Sequence, residues 1–169
     1  WRSQLVSGSH AACVRGISPL WGMPSRVIVH LDLDCFYAQV EQRRLGLGSP
    51  PWTAPDSPPV AVQQWDSLIA VNYAARAAGV KRGMRATEAS GLCPGLELVH
   101  VETIGEGVTE GDDPDRRHQK ACLRRYREAS EEVFAIVARH GGRCERASID
   151  EAYLDLTAEA AQWLSSEGK

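Results

Sequence analysis

The stretch VIVHLDLDCFYAQVEQ, Val27 to Gln42, constrains the fold more than any other part of the chain. Val27 to Leu33 reads as a short apolar strand and Phe36 to Arg44 as a helix, so strand, tight turn and helix follow one another within a single unit. Asp32 and Asp34 stand at the joint. Carboxylates at the end of a buried strand are costly unless something compensates them. Asp34 is placed to cap the helix that starts at Phe36, which leaves Asp32 as the acid in need of a partner. Residues two apart on a regular strand share a face. A strand that ends at Leu33 frees Asp34 from that rule.

A second acidic pair lies far along the chain. RCERASIDEAYLDL alternates as a hairpin that bends at Ile149 to Glu151, with Asp150 and Glu151 at its tip. If the hairpin neighbours the first strand, Asp32, Asp150 and Glu151 converge. Carboxylates ~4 Å apart repel and call for a cation, and magnesium prefers such hard oxygen ligands together with phosphate oxygens. Taken one at a time, each acidic dipeptide serves equally well as a cap or a turn.

Between the two motifs, Gly46 to Pro59 holds five prolines and reads as a loop. VAVQQ and LIAVN read as strands around a turn at Trp65 to Ser67, and NYAARAAG as a short helix closed by Gly79. A helix over Thr87 to Leu92 is stopped by Cys93-Pro94-Gly95, and LELVHVE resumes an alternating strand. Gly105 to Asp115 is a polar, acidic loop. Cys122, Tyr126, Ala129, Val133, Ile136 and Val137 then recur at helical spacing, giving one apolar face that ends near Gly141-Gly142. Strands paired locally and helices able to cover one face predict an α+β sheet rather than a doubly wound parallel one.

At 169 residues and 43% hydrophobic composition, the chain is expected to be soluble and globular, with one domain or one and part of a second. No apolar run approaches the ~20 residues that span a bilayer. The five cysteines are scattered without a CxxC pair and the five histidines are dispersed, which argues against zinc and for a reducing compartment. A net charge of −3 argues against a surface basic throughout, although RRHQKACLRRYR, Arg116 to Arg127, is strongly basic. That run reads equally as the solvated face of a helix or as a phosphate contact. Residues 1–25, without sustained periodicity, are expected to form a mobile leader.

LDLDCFYAQVEQ, AVNYAARAAGVKRGM, LCPGLEL, YREAS and RASIDEAYLDLT together resemble the palm and fingers of the Y-family translesion DNA polymerases, in particular the polymerase eta branch. The resemblance implies a ferredoxin-like mixed sheet with covering helices, the palm, and a small inserted fingers subdomain. In these terms residues 26–71 are the first part of the palm, 72–104 the fingers, 105–117 an acidic loop and 118–169 the second part of the palm. The implied activity is template-directed addition of a deoxynucleotide to a primer 3′ end opposite damaged bases, in the nucleus. Its partners would be primer–template DNA, a dNTP and a sliding clamp reached through a C-terminal region, with no membrane.

The resemblance also assigns residues. Asp32, Asp150 and Glu151 match the catalytic carboxylates, and the Leu33 carbonyl the main-chain ligand, of a pair of Mg²⁺ ions, with Mn²⁺ an alternative. Tyr73 and Arg76 match residues that hold the triphosphate, where arginine supplies a planar fork. Arg82 matches a fingers residue over the incoming base or phosphate. Tyr37 matches the steric gate against a ribose 2′-hydroxyl, with Phe36 as core and pocket wall. Gln63 matches a glutamine that reaches the template base.

The chain departs from the family in three places. QQWDSLIAV lacks the glycine-rich segment of its relatives, Gly105 to Asp115 looks long, and Lys169 follows soon after the second acidic motif. Thumb and little finger are therefore expected to be absent, and the 169 residues inactive alone. The alternatives are another Y-family branch, a non-catalytic DNA-repair remnant, and a nucleotide cyclase, which also uses paired carboxylates. NYAAR…VKR argues against the cyclase, and retention of all three acids against the remnant.

Overall fold

The computed structural model describes residues 26–51, 56–109, 113–140 and 142–167, so the leader expected over 1–25 lies outside the described residues. Its elements are β1 (Ile28–Asp32), α1 (Phe36–Leu45), β2 (Val60–Gln64), β3 (Ser67–Val71), α2 (Tyr73–Ala77), α3 (Ala86–Leu92), β4 (Glu97–His100), β5 (Thr103–Ile104), β6 (Lys120–Ala121), α4 (Arg124–Val137), β7 (Arg143–Arg146), β8 (Glu151–Asp155) and α5 (Thr157–Glu167). The class is α+β, as the local strand pairing predicts.

The strands divide between two three-stranded sheets and a short ribbon. In the first, β8 lies between β1 and β7 and is antiparallel to both. In the second, β2 pairs antiparallel with β3 and parallel with β4. The two faces of β2 separate two clusters of apolar side chains. Val60 and Val62 pack with Phe36, Ala38, Val99, Val101 and Tyr126, whereas Ala61 packs with Leu68, Val71, Ala75, Val80 and Ala89. Each fully buried valine contributes about 1.5–3 kcal/mol through the area it removes from water. Buried Asn72 ties α2 to the second sheet: its Oδ1 accepts from Val60 N and Ala75 N, both at 3.0 Å, and its Nδ2 donates to the Pro58 carbonyl.

Three local expectations need correction. The strand ends at Asp32, and Asp34 does not cap α1. Cys35, in the left-handed conformation (φ 38°, ψ 42°), occupies the position before the first helical residue, so the Asp34 carboxylate is one residue too early to reach the helix N–H groups. Next, α4 starts at Arg124 and not at Cys122, which continues the β5–β6 ribbon by donating its N–H to the Glu102 carbonyl (2.7 Å). The basic run is consequently broken over a turn, β6 and the start of α4 instead of forming one helical face. Last, β5 and β6 form a ribbon that closes the base of the acidic loop, and α5 follows β8; neither follows from the periodicity of the sequence.

Glycine is required just before β7. Gly142 has φ +75°, and a Cβ there would collide with the Asp155 carbonyl and crowd the Leu156 side chain.

Candidate active site

The antiparallel pairing of β1 with β8 places Asp32 directly opposite Glu151. Residues directly opposite in a ladder point to the same face, with Cβ atoms about 4.5–5.5 Å apart. The same face carries His30 opposite Tyr153, their rings stacked at 4.8 Å, and His30 Nε2 lies 3.8 Å from a Glu151 oxygen. One step beyond the ladder, the Leu33 N–H donates to the Asp150 carbonyl (2.9 Å). The turn that carries Asp150 is therefore joined to the end of β1 by its backbone. Asp150 Oδ1 accepts from the Ser148 hydroxyl (2.7 Å).

Like charges directly opposite in a sheet destabilise it, so this arrangement is unfavourable on its own. Asp32 is exposed and its carboxylate has no hydrogen-bond partner among the described residues. Among the described residues no three histidine, cysteine or acidic side chains are gathered tightly enough to hold a metal ion unaided. The donors are nevertheless hard oxygens facing solvent on one sheet face. That set fits magnesium, which keeps several waters and takes one or two carboxylates together with substrate phosphate.

α1 and α2 bring Phe36, Tyr37, Tyr73 and Arg76 beside the turn after β1. Phe36 is buried in the core, while Tyr37 is half-buried with its ring stacked on that of Tyr126 at 4.2 Å and 15°. Burial and the nearby Asp150 carboxylate push the Tyr37 phenol up, against the opposing pull of Arg127 and Arg82. Asp150, Arg82 and Arg127 are thus each within electrostatic reach of the Tyr37 hydroxyl.

Tyr73, on α2, is exposed, and Asp34 pushes its phenol up by a side-chain hydrogen-bonding interaction. The Arg76 guanidinium lies over the Tyr73 ring, 5.2 Å from its centroid, and is anchored by Nε to the Val71 carbonyl (2.9 Å). Its two terminal nitrogens make no hydrogen bond among the described residues. Gln63 behaves differently. Its amide donates to the Trp65 carbonyl within its own hairpin (2.6 Å), and the β2–β3 register shifts beside it.

Several supporting residues carry no assignment from sequence. Glu41 and Tyr126 are wholly buried. The Glu41 carboxylate accepts from Tyr126 (2.7 Å), Arg44 (2.6 Å) and Arg125 (2.9 Å). Burial alone would raise this carboxyl, but the three donors hold it below its usual range. Burial and Glu41 together drive the Tyr126 phenol far upward, so it stays a donor. One turn further along α4, buried Ser130 donates to the Ile149 carbonyl and accepts from Arg146 Nη2 (2.6 Å). YREAS held the signal for both: its Tyr and Ser are four apart, on one face of a helix.

Residues 31–167 match the impB/mucB/samB family. The chain is 46% identical over 143 residues to DNA polymerase eta of Arabidopsis thaliana, covering 83% of this chain and 19% of that protein. It is 43% identical over 147 residues to N-acetyltransferase eso1 of Schizosaccharomyces pombe, covering 85% of this chain and 16% of that one. To human DNA polymerase iota it is 35% identical over 161 residues, 93% of this chain and 18% of that protein. The chain thus spans less than a fifth of the length of each of these relatives.

Proposed function

The chain belongs to the impB/mucB/samB family, the Y-family of DNA polymerases, and from that premise we propose that it is part of a translesion DNA polymerase of the eta branch. The reaction is transfer of a deoxynucleotide from a dNTP to a primer 3′-hydroxyl on a DNA template, opposite damaged bases, in the nucleus. The observation that carries this reading is the cross-strand pair of Asp32 and Glu151, with Asp150 bonded through its backbone to the end of β1. The eta branch is supported by identities of 36–46% to eta enzymes against 34–37% to iota enzymes.

Asp32, Asp150, Glu151 and the Leu33 carbonyl would hold two Mg²⁺ ions, or Mn²⁺, whose chemistry there is to make the 3′-hydroxyl more acidic and to neutralise the triphosphate. The chain's own side chains bind and orient. Arg76, fixed at Nε and stacked on Tyr73, presents its remaining fork to phosphate oxygens, and Tyr73 adds a hydroxyl. Arg82 approaches the incoming nucleotide from the loop after α2. Tyr37 occupies the space of a 2′-hydroxyl, backed by buried Phe36, and Gln63 serves the template side.

The first sheet with α1 and α4 corresponds to the palm. Residues 72–104 correspond to the fingers, with β2 and β3 joined to them through the sheet shared with β4 and one apolar cluster with α2 and α3. A sliding clamp would be met by parts of the protein outside this chain. No helix among the described residues is long and apolar enough to cross a membrane.

Primer extension by the full-length protein in Mg²⁺ tests the proposal. The wild type extends primers on plain and pyrimidine-dimer templates, and Asp32→Asn or Asp150→Asn lowers the rate at least about 100-fold, since a neutral amide cannot balance divalent ions. Asp34→Asn is milder. Equal loss in all three variants would mean that the ligands are misassigned.

A further inference from the structure

Tyr37 and Glu41 are one helical turn apart on α1, and Tyr126 of α4 touches both, its ring stacked on Tyr37 and its hydroxyl bonded to Glu41. The Tyr37 ring has no hydrogen bond of its own among the described residues, so the stack sets its height and tilt. Tyr126 is pinned at the far end of its ring by a carboxylate that cannot move: Glu41 is 0% exposed, and its other contacts are Arg44 on one oxygen and Arg125 on the same oxygen as Tyr126. A carboxylate accepts only, and here every donor around it is matched. A glutamine would turn one oxygen into a donor facing Arg44, or else facing Tyr126 and Arg125. An apolar residue would fill the space without fixing the ring.

We propose that Glu41 is a positioning residue for sugar selection, holding Tyr126 so that the Tyr37 ring stays where a 2′-hydroxyl would have to enter. The inference rests on Tyr37 being the gate. It explains why a buried carboxylate with two arginines, an expensive arrangement for stability alone, is built at this point of the palm. Glu41 acts through Tyr126 and touches no substrate.

The test is single-turnover insertion of a dNTP and of the matching rNTP by the full-length protein, read as the ratio of the two efficiencies. Glu41→Gln is the direct variant, and Tyr126→Phe, which deletes only the pinning hydroxyl and keeps the ring, covers the case in which Glu41→Gln folds poorly. Each is expected to lower dNTP-over-rNTP discrimination about tenfold, the effect of one hydrogen bond to a charged group. In a Tyr37→Ala background, where discrimination has already collapsed, neither should change it further. Equal losses toward both nucleotides would make the network a scaffold only, and an undiminished effect in the Tyr37→Ala background would show that it does not act through that ring. Either result overturns the proposal. Discrimination left intact by Tyr37→Ala itself would remove the gate reading on which it rests.

Discussion

Ser130→Ala isolates the attachment of the acidic turn to α4. The hydroxyl is completely buried, donates to the Ile149 carbonyl next to Asp150 and accepts from Arg146. Its loss strands two groups unequally. Ile149 is half-buried, so its carbonyl recovers water only in part, at a cost of about 1–2 kcal/mol. Arg146 is exposed and regains water at little cost, while its guanidinium keeps its place over the Phe134 ring, 4.8 Å from the centroid. Alanine returns about 0.5 kcal/mol through better helix propensity. The balance is a destabilisation of about 1 kcal/mol, readable as a lower urea midpoint at unchanged slope. A second readout belongs to the turn alone: extension by the full-length variant should need more Mg²⁺ for half-maximal rate. A midpoint within experimental scatter of wild type would refute the energetic argument, and a stability loss with an unchanged Mg²⁺ requirement would show that Ser130 does not hold Asp150 in place.

Further outcomes follow from other contacts. Asp155 is held at about 2 by bonds from Thr157 and then Arg26, so its contribution to stability is complete above the unfolded carboxyl value near 4 and is lost as pH falls toward 2. Asp155→Asn should accordingly flatten the fall of the urea midpoint between pH 4 and pH 2, and parallel curves for the two proteins would contradict this. The Gln63 amide donates to the Trp65 carbonyl in the free protein, so Gln63→Ala should change template-base selectivity in single-nucleotide insertion only if that bond is exchanged for the template, and unchanged selectivity would remove Gln63 from the template side. Tyr73→Phe should raise the KM for dNTP a few-fold with little change in maximal rate if its hydroxyl serves the triphosphate.

The first strand, its helix and the closing hairpin were legible because their hydrophobic periods change at acids and turn residues, and the convergence of Asp32 with Glu151 needed only the assumption that the two strands pair. Asp34 was misread because composition cannot show a left-handed residue, and Cys35 is not a type that usually takes one. α5 escaped because TAEAAQWLSSE has a weak apolar face. Its start was nevertheless written in Asp155 and Thr157, whose side chains bond each other at 2.5 Å. Glu41 was invisible as a buried acid, since VEQRR looks like a solvated helix until Arg125 and Tyr126 arrive from a segment more than eighty positions away. Pairings of that range cannot be read from spacing.

Because Tyr126 and Ser130 occupy consecutive turns of α4, one stacked on the Tyr37 ring and the other bonded to the acidic turn, the helix is a common axle for both. A small roll of α4 would displace Tyr37 and Asp150 together. In the proposed polymerase, selection of the sugar and timing of the chemical step would then be mechanically geared, and substitutions that only tilt this helix, even on its solvent side, should trade fidelity and speed along a single line instead of altering either one alone.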